Sequence, residues 1–332
     1  MFNYLTIATG IGAPEEAVRN LPNWNCKAFS EIDCYPKSYF KKRNPNSGVD
    51  LDDFTKLTDK QISAIGDVNL IIASLPCQSF SVSGNRKGFS DARGNLFFDY
   101  LRIVKMLRPD YLVMENVKGL QNHDGGKTLA TIETEIEKLG YQIEWNILNS
   151  KDFGVPQNRE RIYLIGRHSR TKPKGAFFPL RSHYKEDSRR VGEEVSYCLD
   201  ANYAKGTNTT LKGRRQLIQV NQPVHSNNRV YDPEGLAPTL NTMQGGNRQP
   251  FINLPPRVRR LTPLECWRLQ GFPDECHDLA NEIGLSNTRQ YKALGNAITV
   301  PVFRAIAERL DWLYDEKELN SYTKSILGQF YG

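Results

Sequence analysis

Leu70-Ile71-Ile72-Ala73-Ser74-Leu75-Pro76-Cys77-Gln78-Ser79-Phe80-Ser81 is the stretch on which the reading of this chain turns. Its unbroken apolar start predicts a buried strand. Pro76 lacks a backbone donor and stiffens the exit from that strand. Cys77 therefore stands where a strand ends and a loop begins, which is where open α/β sheets place their chemistry. A second run, Tyr111-Leu112-Val113-Met114, delivers Glu115-Asn116-Val117 in the same way. A nucleophile and a carboxylate at two strand ends are the minimum needed to attack and polarise an electron-poor ring.

Outward from these two runs, the first 170 or so residues alternate strand and helix patterns. Tyr4–Ala8 and Lys27–Ser30 read as strands one and two, and Gln142–Leu148 and Arg161–Gly166 as later strands. Asn95–Leu107 places Leu96, Phe97, Tyr100, Leu101, Val104 and Leu107 on one helical face, and Lys127–Leu139 repeats the pattern before a stop at Gly140. This alternation predicts an α/β fold with a mostly parallel sheet and helices on both faces. Between the first strand and a helix opening at Pro14-Glu15-Glu16 lies Thr9-Gly10-Ile11-Gly12-Ala13, whose glycines let backbone approach a ligand. Glu31 follows about 20 residues later at the end of strand two, where an acid can bind ribose hydroxyls. Together they suggest an adenosine-containing cofactor.

Near Lys172 the pattern breaks, and Pro, Gly, Asn, Thr and Arg dominate as far as Pro256. This reads as a second, irregular or β-rich module. It carries a weak internal echo: Cys198-Leu199-Asp200-Ala201 precedes Gly206 and Arg214-Arg215-Gln216, and Thr239-Leu240-Asn241-Thr242 precedes Gly245-Gly246 and Arg248-Gln249. The echo reads either as a pair of recognition elements or simply as two similar hairpins, the hairpins being the favoured reading. Helical pattern returns at Thr262, which fits an N-cap, with Pro263 at the first helical position and Glu265 closing a capping box. Pro301–Leu313 reads as a closing helix.

The charge is uneven. Residues 151–260 hold 20 Lys/Arg against 9 Asp/Glu, a net of +11, whereas the whole chain carries +7, so the remainder carries −4. One half is thus suited to meet a polyanion. The six cysteines form no Cys-x-x-Cys pair, which argues against a zinc site and for a reducing compartment. No apolar run approaches the ~20 residues of a membrane span, and the N-terminus lacks signal-peptide character.

Around Cys77 the sequence sets Gln78, Ser79, Ser81 and Ser83, then Gly84, Gly88 and Gly94 among Arg86, Lys87 and Arg93. A Gly-punctuated basic loop beside a thiol suits a lid over a phosphate backbone, and its charge favours the thiolate. A partly buried Glu115 would have a raised pKa and could donate to a ring nitrogen while accepting from an exocyclic amine. Gln157-Asn158-Arg159-Glu160-Arg161 places two arginines on one side of an incipient strand, as ligands for a phosphate or a carbonyl oxygen.

The order Gly-x-Gly, Glu, Pro-Cys-Gln, Glu-Asn-Val, Gln-x-Arg-x-Arg, a basic module, then Arg-x-Leu-Thr-Pro-x-Glu and Gly-Asn-Ala resembles the C5-cytosine DNA methyltransferase family of bacteria and phages, over roughly Leu5 to Phe303. The resemblance implies a Rossmann-like S-adenosylmethionine-dependent sheet and a smaller target-recognition domain. It divides the chain into a catalytic and cofactor-binding domain over 1–172, a target-recognition domain and hinge over 173–285, and a return to the catalytic domain over 286–332. It implies methyl transfer from S-adenosylmethionine, leaving S-adenosylhomocysteine, to C5 of a flipped-out cytosine in a specific duplex. Cys77 would add to C6, Glu115 would hydrogen-bond N3 and the 4-amino group, and Arg161 with Arg159 would hold O2 and nearby backbone. Gly10, Ile11, Gly12, Glu31, Ile32, Asp53, Phe54, Pro76, Leu96, Asn296 and Ala297 would line the cofactor pocket. Gln78, Ser81, Ser83, Arg93, Arg229, Thr239, Leu240 and Met243 would meet DNA, and no metal is implied.

The family's first turn usually reads Phe-x-Gly-x-Gly-Gly; here Ala8 replaces the Phe and Ala13 the last Gly, and Ala297 stands where Ser is frequent. The lost aromatic implies weaker cofactor binding or compensation by Ile11, Ile32 or Phe54. The implied partner is double-stranded DNA, the enzyme acting either with a separate cognate restriction endonuclease or alone, with no membrane, as a monomer in the bacterial cytoplasm or nucleoid. An RNA (tRNA) C5-cytosine methyltransferase is the rival, disfavoured by the basic reader module. A catalytically silent DNA-binding protein is disfavoured by the intact Cys77, Glu115 and Arg161, and a nicotinamide dehydrogenase leaves Pro-Cys-Gln unexplained.

Overall fold

The computed structural model describes residues 1–76, 95–171, 175–180, 229–233, 235–243, 249–254 and 257–313. In chain order its strands are β1 (Phe2–Ile7), β2 (Trp24–Ser30), β3 (Val49–Asp50), β4 (Leu70–Ala73), β5 (Tyr111–Val117), β6 (Tyr141–Asn149), β7 (Gln157–Asn158) and β8 (Glu160–His168), followed by β9 (Val230–Tyr231), β10 (Ala237–Pro238), β11 (Phe251–Leu254) and β12 (Arg257–Arg260). Its helices are α1 (Ala13–Val18), α2 (Cys34–Arg43), α3 (Asp59–Ala64), α4 (Asn95–Leu107), α5 (Lys127–Glu137), α6 (Pro263–Leu269), α7 (Asp274–Glu282) and α8 (Asn287–Asn296), with a last helix, α9, over 300–313.

A seven-stranded sheet in the order β3-β2-β1-β4-β5-β8-β6 forms the centre. Strands β3, β2, β1, β4 and β5 pair in parallel, and β8 runs antiparallel between β5 and β6. The reversal follows from the connection: the short segment from Asn149 to Glu160 holds no crossover helix, and only a helix-sized crossover returns a parallel strand. The expected mostly parallel sheet is therefore present, with one inverted strand.

Side-chain alternation divides the core into two layers. Phe2, Tyr4, Leu70, Ile72, Tyr111, Val113, Tyr163 and Ile165 join one cluster, and Leu5, Ile7, Ile71, Ala73, Leu112, Met114, Ile162 and Leu164 the other. Both layers are sealed, which is why these strands read as continuous apolar runs rather than as alternating ones. Ile62 of α3, Phe97, Tyr100 and Val104 of α4, and Leu129, Ile132 and Ile136 of α5 cover the second layer. The first is covered by Ala17 and Tyr39 from α1 and α2, and by Trp267, Leu294, Phe303 and Leu310 from the chain's last third. Each Leu, Ile, Val or Phe among them contributes about 1.5–3 kcal/mol when fully buried.

Observed elements extend past the expected ones where pairing rewards it. Strand β2 begins at Trp24 because Trp24 lies opposite Phe2 and its ring packs 4.8 Å from Phe2 and 5.8 Å from Tyr4. Strand β1 ends at Ile7, since Ala8 takes φ 56°, a left-handed backbone that leaves the sheet. Between residues 229 and 260 the described structure holds a three-stranded sheet, β12-β11-β9, and strand β10, which makes a two-residue parallel pairing with β7. The Cys198–Gln216 half of the internal echo lies outside the described residues.

Candidate active site

Strand β1 hydrogen-bonds to β2 on one side and β4 on the other, so the chain leaves the two flanking strands in opposite directions at this point. Open α/β sheets bind ligands at such a switch point, beyond the strands' carboxyl ends. The turn after β1 is built for it. Gly10 (φ 59°) and Gly12 (φ 78°) adopt left-handed backbone, and a Cβ at Gly10 would meet nothing within 4 Å among the described residues, which leaves the turn open to a ligand on their side. Thr9 Oγ1 donates to the Ser30 carbonyl at 3.3 Å and ties the turn to the end of β2.

Glu31 completes this corner. Its Oε2 accepts from the Gly10 N–H at 2.7 Å and its Oε1 from the Asp33 N–H at 2.8 Å. Beside it Ile32 is 71% exposed, an apolar side chain standing in the open against the usual preference. The Phe54 N–H donates to Ser30 Oγ at 3.3 Å, with Phe54 itself buried, while Asp53 caps the short helical turn Phe54–Lys56. Leu96 is half-buried in the first turn of α4, Ile11 and Ala297 are buried, and Pro76 and Asn296 are exposed. A carboxylate fixed by two backbone donors, an open glycine turn and a bare aliphatic face fit the ribose and base of a nucleoside-bearing cofactor.

The neighbouring strand ends carry the second cluster. Ala73 of β4 lies opposite Met114 of β5, so the exit of β4 runs beside Glu115. Asn116 Nδ2 donates to the Leu75 carbonyl at 3.0 Å and pins that exit two residues before Cys77. Cys77, Gln78, Ser81, Ser83 and Arg93 lie outside the described residues. Glu115 is 8% exposed; burial raises its pKa, and the nearby Arg161 and Arg159 charges pull it back only partly. Arg161 Nε sits 3.2 Å from Glu115 Oε1, across the antiparallel β5–β8 pairing.

Arg159 is placed differently from Arg161. It is 2% exposed, and its guanidinium donates to the carbonyls of Leu240 at 3.0 Å, Gly295 at 3.1 Å and Ala297 at 2.8 Å. Burial and the adjacent Arg161 lower its pKa, and the carbonyl dipoles compensate the charge. Of the expected DNA-facing residues, Arg229 and Thr239 are exposed, whereas the side chains of Leu240 and Met243 lie in the core cluster. Thr239 Oγ1 donates to the Asn158 carbonyl at 2.6 Å. Asn116 and Gln157 act here without having been singled out by the sequence patterns. Their signal was membership of Glu-Asn-Val and Gln-x-Arg-x-Arg, where attention falls on the charged neighbours.

Known proteins match along most of the chain. The family described as C-5 cytosine-specific DNA methylase matches residues 2–312. The orphan methyltransferase M.SPRI of Bacillus phage SPR is 30% identical, the alignment covering 95% of this chain and 98% of that protein. The type II methyltransferase M.SsoII of Shigella sonnei is 35% identical over 78% of this chain and 67% of its own length. In three dimensions the S. pombe Dnmt2 methyltransferase superposes with a TM-score of 0.67 at 20% identity, covering 94% of this chain and 99% of that one. The fold is thus shared with methyltransferases of Rossmann-like architecture.

Proposed function

Because the chain belongs to the C-5 cytosine-specific DNA methylase family and is a DNA cytosine-5 methyltransferase, we propose that it marks a cytosine swung out of one specific duplex sequence, through a covalent bond to Cys77. In this reading residues 1–172 and 286–332 form the catalytic body, and 173–285 hold the target reader and its hinge. The observation that carries it is the buried Glu115–Arg161 pair, 3.2 Å apart, next to the strand exit that leads to Cys77.

The chemistry follows from the residues. Cys77, as thiolate, adds to C6 of the extruded base. Protonated Glu115 donates to N3 and accepts from the 4-amino group, so the negative charge arriving on the ring is neutralised as it forms. Arg161 holds Glu115 in register and supplies donors for O2. Bound S-adenosylmethionine supplies an electrophilic methyl group for C5. Loss of the C5 proton to solvent then forms the C5–C6 double bond as the thiolate leaves, and N3 returns its proton to Glu115, so both groups are restored. Glu31 accepts from the ribose hydroxyls, Ile32 covers the adenine, and Asp53 and Phe54 border it, with Gly10, Ile11, Gly12, Pro76, Leu96, Asn296 and Ala297 around the rest. Gln78, Ser81, Ser83, Arg93, Arg229 and Thr239 face DNA.

We place the protein as a monomer in a reducing bacterial cytoplasm, acting on duplex DNA with or without a separate endonuclease. Among the described residues no helix is long and apolar enough to cross a membrane. The test is a duplex bearing 5-fluorocytosine at the target. Fluorine blocks the final elimination, so wild type should form a complex that survives denaturation and Cys77→Ala should not. Wild type that methylates ordinary DNA yet never traps would refute covalent addition, and transfer to tRNA in place of duplex would refute the substrate.

A further inference from the structure

We propose that Arg159 is a positioning residue that couples the target-reading strip 237–243 to the catalytic pair Glu115–Arg161. The proposal rests on the function above and assigns to Arg159 a task other than touching the base. A fully buried guanidinium spends its donors on three carbonyls from two distant segments: Leu240 in the strip, and Gly295 and Ala297 on either side of Asn296. Among the described residues no carboxylate pairs with it, Glu115 being held by Arg161. Its Nε has no hydrogen-bond partner among the described residues. A charge held in this way tolerates little movement of its acceptors, because each lost carbonyl leaves a buried donor unsatisfied.

Other contacts converge on the same strip. Gln157, fully buried two residues upstream, accepts from the Leu240 N–H at 3.0 Å and donates to the Leu269 carbonyl at 2.9 Å. The β7–β10 pairing sets Ala237 opposite Gln157 and Pro238 opposite Asn158. Gly295 permits the approach: a Cβ there would lie 2.3 Å from the Asn241 oxygen, 2.4 Å from its carbonyl carbon and 2.6 Å from the Thr242 nitrogen. Two residues beyond Arg159 on the same backbone, Arg161 meets Glu115. The five residues 157–161 therefore carry both the grip on the reader and the support of the catalytic acid. A reader shifted by a mismatched base displaces this backbone, and Glu115 with it.

The test compares wild type with Arg159→Gln, Arg159→Lys and Gly295→Ala, the last disturbing the junction without altering the arginine. Bisulfite mapping of methylated plasmid DNA defines the wild-type site and its single-mismatch relatives. Arg159→Gln and Gly295→Ala should each lower the ratio of target to mismatch methylation at least tenfold, with duplex KM rising more than kcat falls. Arg159→Lys, which keeps the charge but not the planar fork, should restore part of the ratio. Hydrogen exchange at the amides of 237–243 should quicken at least tenfold in both junction variants, while β1 and β4 keep their protection. Variants that hold the wild-type ratio, or that lose protection equally in β1 and β4, would overturn the coupling. Wild type that marks no cytosine at all would overturn the proposed function, and the coupling with it.

Discussion

At the scale of single residues, two buried glutamates divide the chemistry from the structure. Glu115 has a partner and a strand-end position; Glu15, in α1, is 5% exposed and neither carboxylate oxygen has a hydrogen-bond partner among the described residues. Replacing Glu115 with Gln removes the transferable proton while preserving shape. We expect kcat to fall by about 10²–10⁴, the usual worth of a positioned acid, with duplex affinity within threefold, measured by single-turnover methylation and by anisotropy. Burial lifts the Glu15 pKa from 4.5 to about 8. The unfolded chain therefore gives up this proton first, so stability is fully present below about pH 4.5 and drains away as pH rises toward about 8. The upper limit of that loss is on the order of 5 kcal/mol. Glu15→Gln should flatten the dependence, so denaturant midpoints of the variant would exceed those of wild type at pH 8 and converge with them near pH 5. Glu115 and Arg161 were legible in the sequence because strand-end position is itself a sequence signal. The fate of Arg159 was not, because its acceptors lie 81, 136 and 138 residues further along the chain.

At the scale of elements, what could be read depended on how each element is held. Strands β4 and β5 declare themselves by apolar runs, and α4 by an apolar face. Helix α6 is announced by its cap: Thr262 Oγ1 accepts from the Glu265 N–H and Glu265 reaches back to the Thr262 N–H at 2.7 Å. Arg259 adds a contact to Glu265 Oε1 at 2.7 Å, joining β12 to the helix start. Thr262→Ala should cost about 1 kcal/mol and lower the melting temperature by about 2 °C, observable by calorimetry. Helix α2 buries only Tyr39 and Phe40, and α3 only Ile62, so neither shows a periodic stripe. Their definition comes from polar caps at Asp33 and Thr58, signals that do not stand out among ordinary turn residues. The extra length of β2, Trp24–Cys26, likewise comes from pairing with the neighbouring strand, since these three residues by themselves show no strand pattern.

At the scale of the whole molecule, charge and connectivity set behaviour. The net of +11 over 151–260, against −4 for the remainder, gives the protein a basic third. Duplex affinity should therefore fall steeply with salt: if six phosphates are contacted, raising KCl from 50 to 200 mM would weaken binding by about 10³. Anisotropy titrations checking this would contradict a duplex-binding role if the slope were near zero. Connectivity has a further consequence. Helix α9 returns to the opening of the chain, where Trp24 Nε1 donates to Asp311 at 3.0 Å and Arg304 to the Ala17 carbonyl at 2.9 Å. During synthesis, then, the layer containing Phe2, Tyr4, Leu70 and Ile72 is only partly covered, by α1 and α2, until residues 263–313 emerge from the ribosome. The nascent polypeptide must carry a half-clothed sheet through most of translation, so holding chaperones have a long client here and early completion of the first half confers no protection.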